Sequence, residues 1–260
     1  MKWPIVRKFL VIVFIFLFAF PALSQKQVPK NLPKYDRRRL RFGYTIGYTT
    51  MDFVMHHSGT FLSPETDTVF GFENKRLPGF HLSIVSEFHL VEYLDLRFLP
   101  GLSFGERNLS YLLYDPDDND FNVHIMQIES TFLDFPLLLK YSSKRLNNYR
   151  AYIIGGGSIR YDLAAQKDIR PEEKPKIRLN PMDYYYEVGF GVDFFLEYFK
   201  FSTEIKMARG ITNIMVPDNT QFTSSIERMN SKLICVSMHF EGGKYEAMSS
   251  LMGKILWWRN

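Results

Sequence analysis

The stretch Phe80-His-Leu-Ser-Ile-Val-Ser-Glu-Phe-His-Leu90 decides the fold. Phe80, Leu82, Ile84, Phe88 and Leu90 are large and apolar, while His81, Ser83, Glu87 and His89 between them are polar or charged. A period of two belongs to a strand with one greasy face and one wet face. The alternation recurs over Leu40–Asp52, where Leu40, Phe42, Tyr44, Ile46 and Tyr48 oppose Arg41, Gly43, Thr45, Gly47 and Thr49. It returns over Leu94–Leu109, His124–Tyr141, Tyr184–Leu196, Phe199–Ile211 and Asn230–Glu241, and more weakly over Arg150–Leu163. With Gly79–Leu90 these make eight strands. The expected fold class is all-β: an eight-stranded antiparallel transmembrane β-barrel over residues 40–241.

Alternation alone does not say which face points inward, because a soluble barrel has the same pattern with the faces exchanged. Three cues favour lipid outside: the charge density of the polar face, an export leader, and unequal connections. Lys2, Arg7 and Lys8 precede the apolar run Phe9–Phe20, and Ala22 and Ser24 offer a cleavage site before Gln25, so residues 1–24 read as a signal peptide. As a membrane anchor the apolar run is short against the roughly 20 residues a helical span needs. The connections Val91–Tyr93, Ser142–Tyr149 and Glu197–Tyr198 are short, whereas Phe53–Pro78, Ser110–Val123, Ala164–Asp183 and Thr212–Met229 are longer and polar. Short periplasmic turns and longer extracellular loops are the outer-membrane arrangement, which places both termini in the periplasm.

Aromatic residues make up 16% of the chain, which suits girdles at the two membrane interfaces. The single cysteine, Cys235, excludes an internal disulfide or a cysteine-based zinc site. A net charge of +4, spread over strands and loops, gives no basis for a nucleic-acid partner. Residues 25–39 form a basic, proline-bearing segment ending in Arg37-Arg38-Arg39, expected as a flexible periplasmic arm. That arm either docks on an acidic partner or headgroup, or is a solvated linker. After Gly242-Gly243, the apolar positions Met248, Leu251, Met252, Ile255 and Leu256 recur at helical spacing, so residues 242–260 read as an amphipathic tail. It lies either on the membrane surface or across the barrel mouth.

The polar face holds Arg41, His81, Glu87, His89, Asp95, Arg97, Arg107, Asp134, Lys140, Glu187, Asp193, Lys200, Glu204, Lys206 and His239. Eight strands enclose only enough space for side chains, so this set reads as a mutually neutralising plug rather than an ion or proton path. No catalytic, cofactor or metal site is expected. His81 and Ser83, with Glu87 or Asp95, have the residue types of nucleophilic catalysis. Two residues apart on one strand they stand about 6.6 Å from each other, too far for a direct hydrogen bond. His56-His57 alone is a weak metal signal. Gly155-Gly156-Gly157 lacks the Lys-Ser/Thr and following helix of a phosphate loop, and is expected to relieve crowding in a tightly curved sheet.

Several segments carry a family likeness: Asn31-Leu-Pro-Lys-Tyr-Asp36, Phe42–Phe53, Arg97–Arg107, Phe135–Tyr141 and Phe199–Asn213. The Phe135–Tyr141 pattern is common among small Bacteroidetes barrels, and Met51-Asp52-Phe53 and Arg97–Arg107 are the more specific. Together they resemble the PorT (SprT) family of the Bacteroidetes type IX secretion system. The resemblance implies an outer-membrane accessory protein needed for secretion of cargo with type IX C-terminal signals, including surface proteases and gliding adhesins. It implies other type IX components as partners and supplies no catalytic residues. A barrel too narrow for protein then acts in assembly or docking, not as the conducting pore. The competing expectations are a small-barrel adhesin or membrane-stabilising protein outside any secretion system, and an enzyme acting on membrane lipid through His81 and Ser83, which their spacing along one strand argues against.

Overall fold

The computed structural model describes residues 29–59, 69–115, 120–165, 177–217, 223 and 225–242. The expected signal peptide, the first part of the arm, and the tail from residue 243 onward lie outside the described residues.

Alternating side chains give nine strands: β1 (Leu40–His57), β2 (Val69–Val91), β3 (Leu94–Phe98), β4 (Gly101–Asp115), β5 (Asp120–Ser142), β6 (Tyr149–Asp162), β7 (Met182–Phe195), β8 (Lys200–Gly210) and β9 (Ile226–Glu241). All pairings are antiparallel, and β1 pairs with both β2 and β9, so the sheet closes on itself. β3 and β4 lie end to end between β2 and β5, so nine strands form a ring of eight staves. The break falls at Leu99-Pro100, where proline has no N–H to give. The ladder is carried across it by Ile84 N donating to Pro100 O at 2.9 Å and Leu99 N donating to Pro136 O at 3.2 Å.

The faces settle the solvent. Ile84 and Phe190 are each 60% exposed and Tyr44 55%, while Arg97, Glu87 and Lys140 are fully buried. A continuous apolar exterior around a charged interior suits lipid as the surrounding medium, because water would drive such a surface to aggregate. On β5 the outward row Leu133, Phe135, Leu137, Leu139 and Tyr141 matches the roughly 9–11 residues that a tilted strand needs to cross.

Three expectations need correction. β2 begins at Val69 rather than Gly79, and β5 at Asp120 rather than His124. β4 continues to Asp115, so the third connection, expected as a long loop, is only residues 116–119. Polar runs such as Glu73-Asn74-Lys75-Arg76 break the apolar alternation, yet their backbones still complete the ladder opposite Arg107–Ser110. Finally, the arm is not flexible throughout: Asn31–Arg38 folds against the end of the barrel that carries the short turns. A single 3-10 turn, Tyr35–Arg37, sits there.

Candidate functional site

The interior is a stack of ion pairs built from alternate residues of every stave. Among the described residues, eight Lys/Arg and nine Asp/Glu are buried, so the charges nearly cancel. At the short-turn end Arg97 bridges Glu87 (2.7 Å) and Glu204 (2.8 Å), with Glu241 at 3.7 Å. Lys140 grips both oxygens of Asp193 at 2.9 Å. Lys200 meets Glu241 at 2.7 Å, and Arg41 pairs with Asp95 and, at 3.2 Å, with Glu87. Midway along, Glu187 receives Lys206 (2.7 Å), Arg160 (2.8 Å) and the Ser158 hydroxyl (2.6 Å). Every residue expected to face inward does so. His89 is half-exposed at the mouth, against Asp95 at 2.7 Å.

Sequence reasoning missed Arg150, Arg160, Asp162, Asp183 and Glu241 in this interior. The first three lie on β6, where the glycine run hides the alternation. Of those glycines Gly156 is the constrained one: a Cβ there would lie 2.3 Å from the Leu137 carbonyl oxygen.

Both ends are shut. At the short-turn end Tyr35 is buried, and its hydroxyl donates to Glu241 Oε2 at 2.9 Å. Its ring meets Phe195 edge-on at 6.2 Å. Asn31 N donates to Asn148 Oδ1 at 2.9 Å, and Asp36 takes Arg145 and Arg150 at 3.3 Å each. Burial pushes the Tyr35 phenol well above its ordinary range, and Glu241 and Glu87 push it further, so it stays a neutral donor. At the other end Phe53, Val69, Leu109, Tyr111 and Met126 pack with Ile177, Leu179, Ile214 and Met215 from the connections after β6 and β8. A bridge between Leu179 and Met215 ties those two connections together over the opening.

The histidine–serine candidate takes a different form from the expected one. His81 Nε2 contacts Ser237 Oγ of β9 at 3.1 Å, not Ser83. It reaches across β1 above Gly47, where a Cβ would come within 2.1 Å of the imidazole. His239 Nδ1 contacts Thr45 Oγ1 at 2.7 Å, and its Nε2 lies 3.3 Å from Glu204. The cavity beside these residues measures about 20 Å³, room for roughly one water and not for a substrate. His56 and His57 stand at the loop-end tip of β1, where the His57 ring lies 4.4 Å from that of Phe72. Among the described residues no three metal-ligating side chains converge.

A closed antiparallel ring with apolar residues outside and a charged, filled interior is the build of a small outer-membrane barrel. Residues 24–216 match the outer membrane protein beta-barrel domain. The chain belongs to that family. No curated protein matches it in sequence. Among solved structures, Neisserial surface protein A is similar at 8% identity and TM-score 0.40, over 76% of this chain and 95% of that one. OprG from Pseudomonas aeruginosa is similar at 12% identity and TM-score 0.40, over 78% and 93%. The outer membrane protease OmpT from Escherichia coli is similar at 10% identity and TM-score 0.34, over 78% and 95%. At such distances nothing about binding or catalysis passes from those proteins to this barrel.

Proposed function

We propose that this outer-membrane barrel is a non-conducting component of the type IX protein secretion system, of the PorT (SprT) kind. It serves secretion of cargo with type IX C-terminal signals as an assembly or docking factor. The short-turn end and both termini face the periplasm, and the longer connections face outward. The observation that carries this reading is the closure of the barrel at both ends around a filled interior. A permeating ion would have to part Arg97 from Glu87 and Glu204, and breaking one buried pair costs about 3–5 kcal/mol. What remains to act is surface: the outer band toward lipid, and the two ends toward other type IX components. The resemblance of Met51-Asp52-Phe53 and Arg97–Arg107 to the PorT family supports the assignment to secretion. No enzymatic step, cofactor, nucleic acid or small-molecule substrate enters this role.

A second reading, an adhesin or membrane-stabilising barrel, draws on the strands that project beyond the lipid band with Phe70, Phe121 and Val123 exposed. Clean deletion of the gene, with mass spectrometry of medium, surface and periplasm, separates the two. The secretion reading expects unprocessed type IX cargo in the periplasm, restored to the surface by the wild-type gene. Normal cargo display in the deletion strain overturns it.

A further inference from the structure

Among the described residues, the projecting half of β5 has no strand along its second edge. β5 pairs with β4 from Asp134 up to Asp120, but with β6 only from Ser142 to Phe132. Thr131 shows which backbone groups face that edge: its N–H donates to Asp162 Oδ1 at 3.0 Å, and its carbonyl accepts from Leu163 N at 2.8 Å. Backbone direction alternates along a strand, so the N–H and C=O groups of Glu129, Gln127, Ile125 and Val123 point the same way. No described group pairs with them. Strand edges are normally defended by proline, lysine or a bulge, and Asp120–Ser130 contains none of these.

The outer face beside this edge is apolar. Val123 is 62% exposed and Ile125 57%, and Phe121 packs against Phe70 and Tyr114 with ring centroids at 5.3 and 5.4 Å. The patch is separate from the lipid band, because Gln127, Glu129 and Thr131 of β5 and Glu106, Asn108 and Ser110 of β4 lie between them. Glu129 and Glu106 stand directly opposite across the ladder, an arrangement that repels. Neither has a cationic partner among the described residues. A cleft of about 200 Å³ adjoins the edge at Gln127–Glu129, with Ile128, Ile177 and Leu179 among its lining.

We propose that this edge accepts an added strand from another protein. The segment it fits is extended, apolar at the positions beside Phe121, Val123 and Ile125, and basic where it meets Glu129 and Glu106. The open backbone supplies hydrogen bonds, the apolar row supplies burial, and the two carboxylates set the register. The proposal names a contact face for the docking role above and rests on that reading.

The test uses the full-length protein in lipid nanodiscs and a short fluorescent peptide of alternating Val and Thr with one Lys placed to face Glu129. Saturable binding is expected, weakened about tenfold when the peptide's Lys is changed to Glu, because like charges then oppose. Glu129→Lys should reverse that preference. Ile125→Pro removes an N–H on the open side only, so the β4 ladder and the folded band on a gel persist while binding is lost. No saturable binding, or binding indifferent to both the charge exchange and Ile125→Pro, overturns the proposal. So does oxidative crosslinking of Val123→Cys into a homodimer that peptide added beforehand does not prevent, which would assign the edge to a second copy. Binding to purified protein is independent of the deletion phenotype, so each reading fails by its own experiment.

Discussion

The Tyr35 hydroxyl donates to Glu241 Oε2 at 2.9 Å across a sequence separation of 206 residues. This contact joins the segment before the first strand to the last residue of the last strand, at the mouth where β1 and β9 close the ring. Lys200 Nζ meets the same oxygen at 2.7 Å, so the phenol adds a second donor to an ion pair that is already buried. Tyr35→Phe keeps the ring and deletes one hydrogen bond to a charged acceptor, a loss of roughly 1.5–3 kcal/mol. Tyr35→Ala also leaves a void, for roughly 3–5 kcal/mol. Urea midpoints of the refolded protein in detergent should fall in that order.

The same contact carries a pH signature. The native state holds the Tyr35 proton more tightly than the unfolded chain does, because burial and two carboxylates oppose its loss. Its contribution is therefore constant below about pH 10 and declines as pH rises past that value. A stability titration should show a steeper alkaline decline in the wild type than in Tyr35→Phe.

Arg97→Met tests the interior. The substitution keeps the volume similar but leaves Glu87 and Glu204 short of their shared cation. The expected cost is about 3–5 kcal/mol, and replacing Glu204 by Gln in the same chain should recover part of it. A single substitution with no effect on unfolding would mean that water, not side chains, balances these carboxylates.

Glu106 and Glu129 repel across the β4–β5 ladder. Glu106→Lys turns a like-charge pair into an opposite-charge pair and should stabilise the projecting hairpin by about 0.2–1 kcal/mol, less at high salt. Hydrogen exchange of β4 and β5 beyond the lipid band reads this directly.

The strands that cross the lipid were legible because their two faces meet different media. Phe80–Leu90 alone predicts an outward Ile84 and an inward Glu87, and both stand so. That legibility ends where the lipid ends. Between Val69 and Arg76 the ladder with β4 persists, but no apolar band remains to impose alternation, so the outer part of β2 reads as loop. The closures were not legible either. Tyr35 sits in a basic, proline-bearing stretch with no periodicity, and its burial depends on Glu241, Lys200 and Phe195, which only the closed ring brings near. The same holds for Leu179 and Met215, whose role over the opening comes from a bridge between two separate connections. The serine beside His81 was not legible because a single strand shows only its own neighbours, and Ser83 stands too far along it, whereas Ser237 arrives from two staves away over Gly47.

A barrel shut by Tyr35 at one end and by the apolar cap around Leu179 at the other should not conduct. Single-channel recording of the purified, folded protein in planar bilayers tests this most directly. The predicted result is no steady conductance above that of the bare bilayer at moderate voltage, for the wild type and for Glu106→Lys alike. Stable, reproducible open channels from the wild-type protein would contradict it, because they require a continuous path past Tyr35, Arg97 and the apolar cap around Leu179.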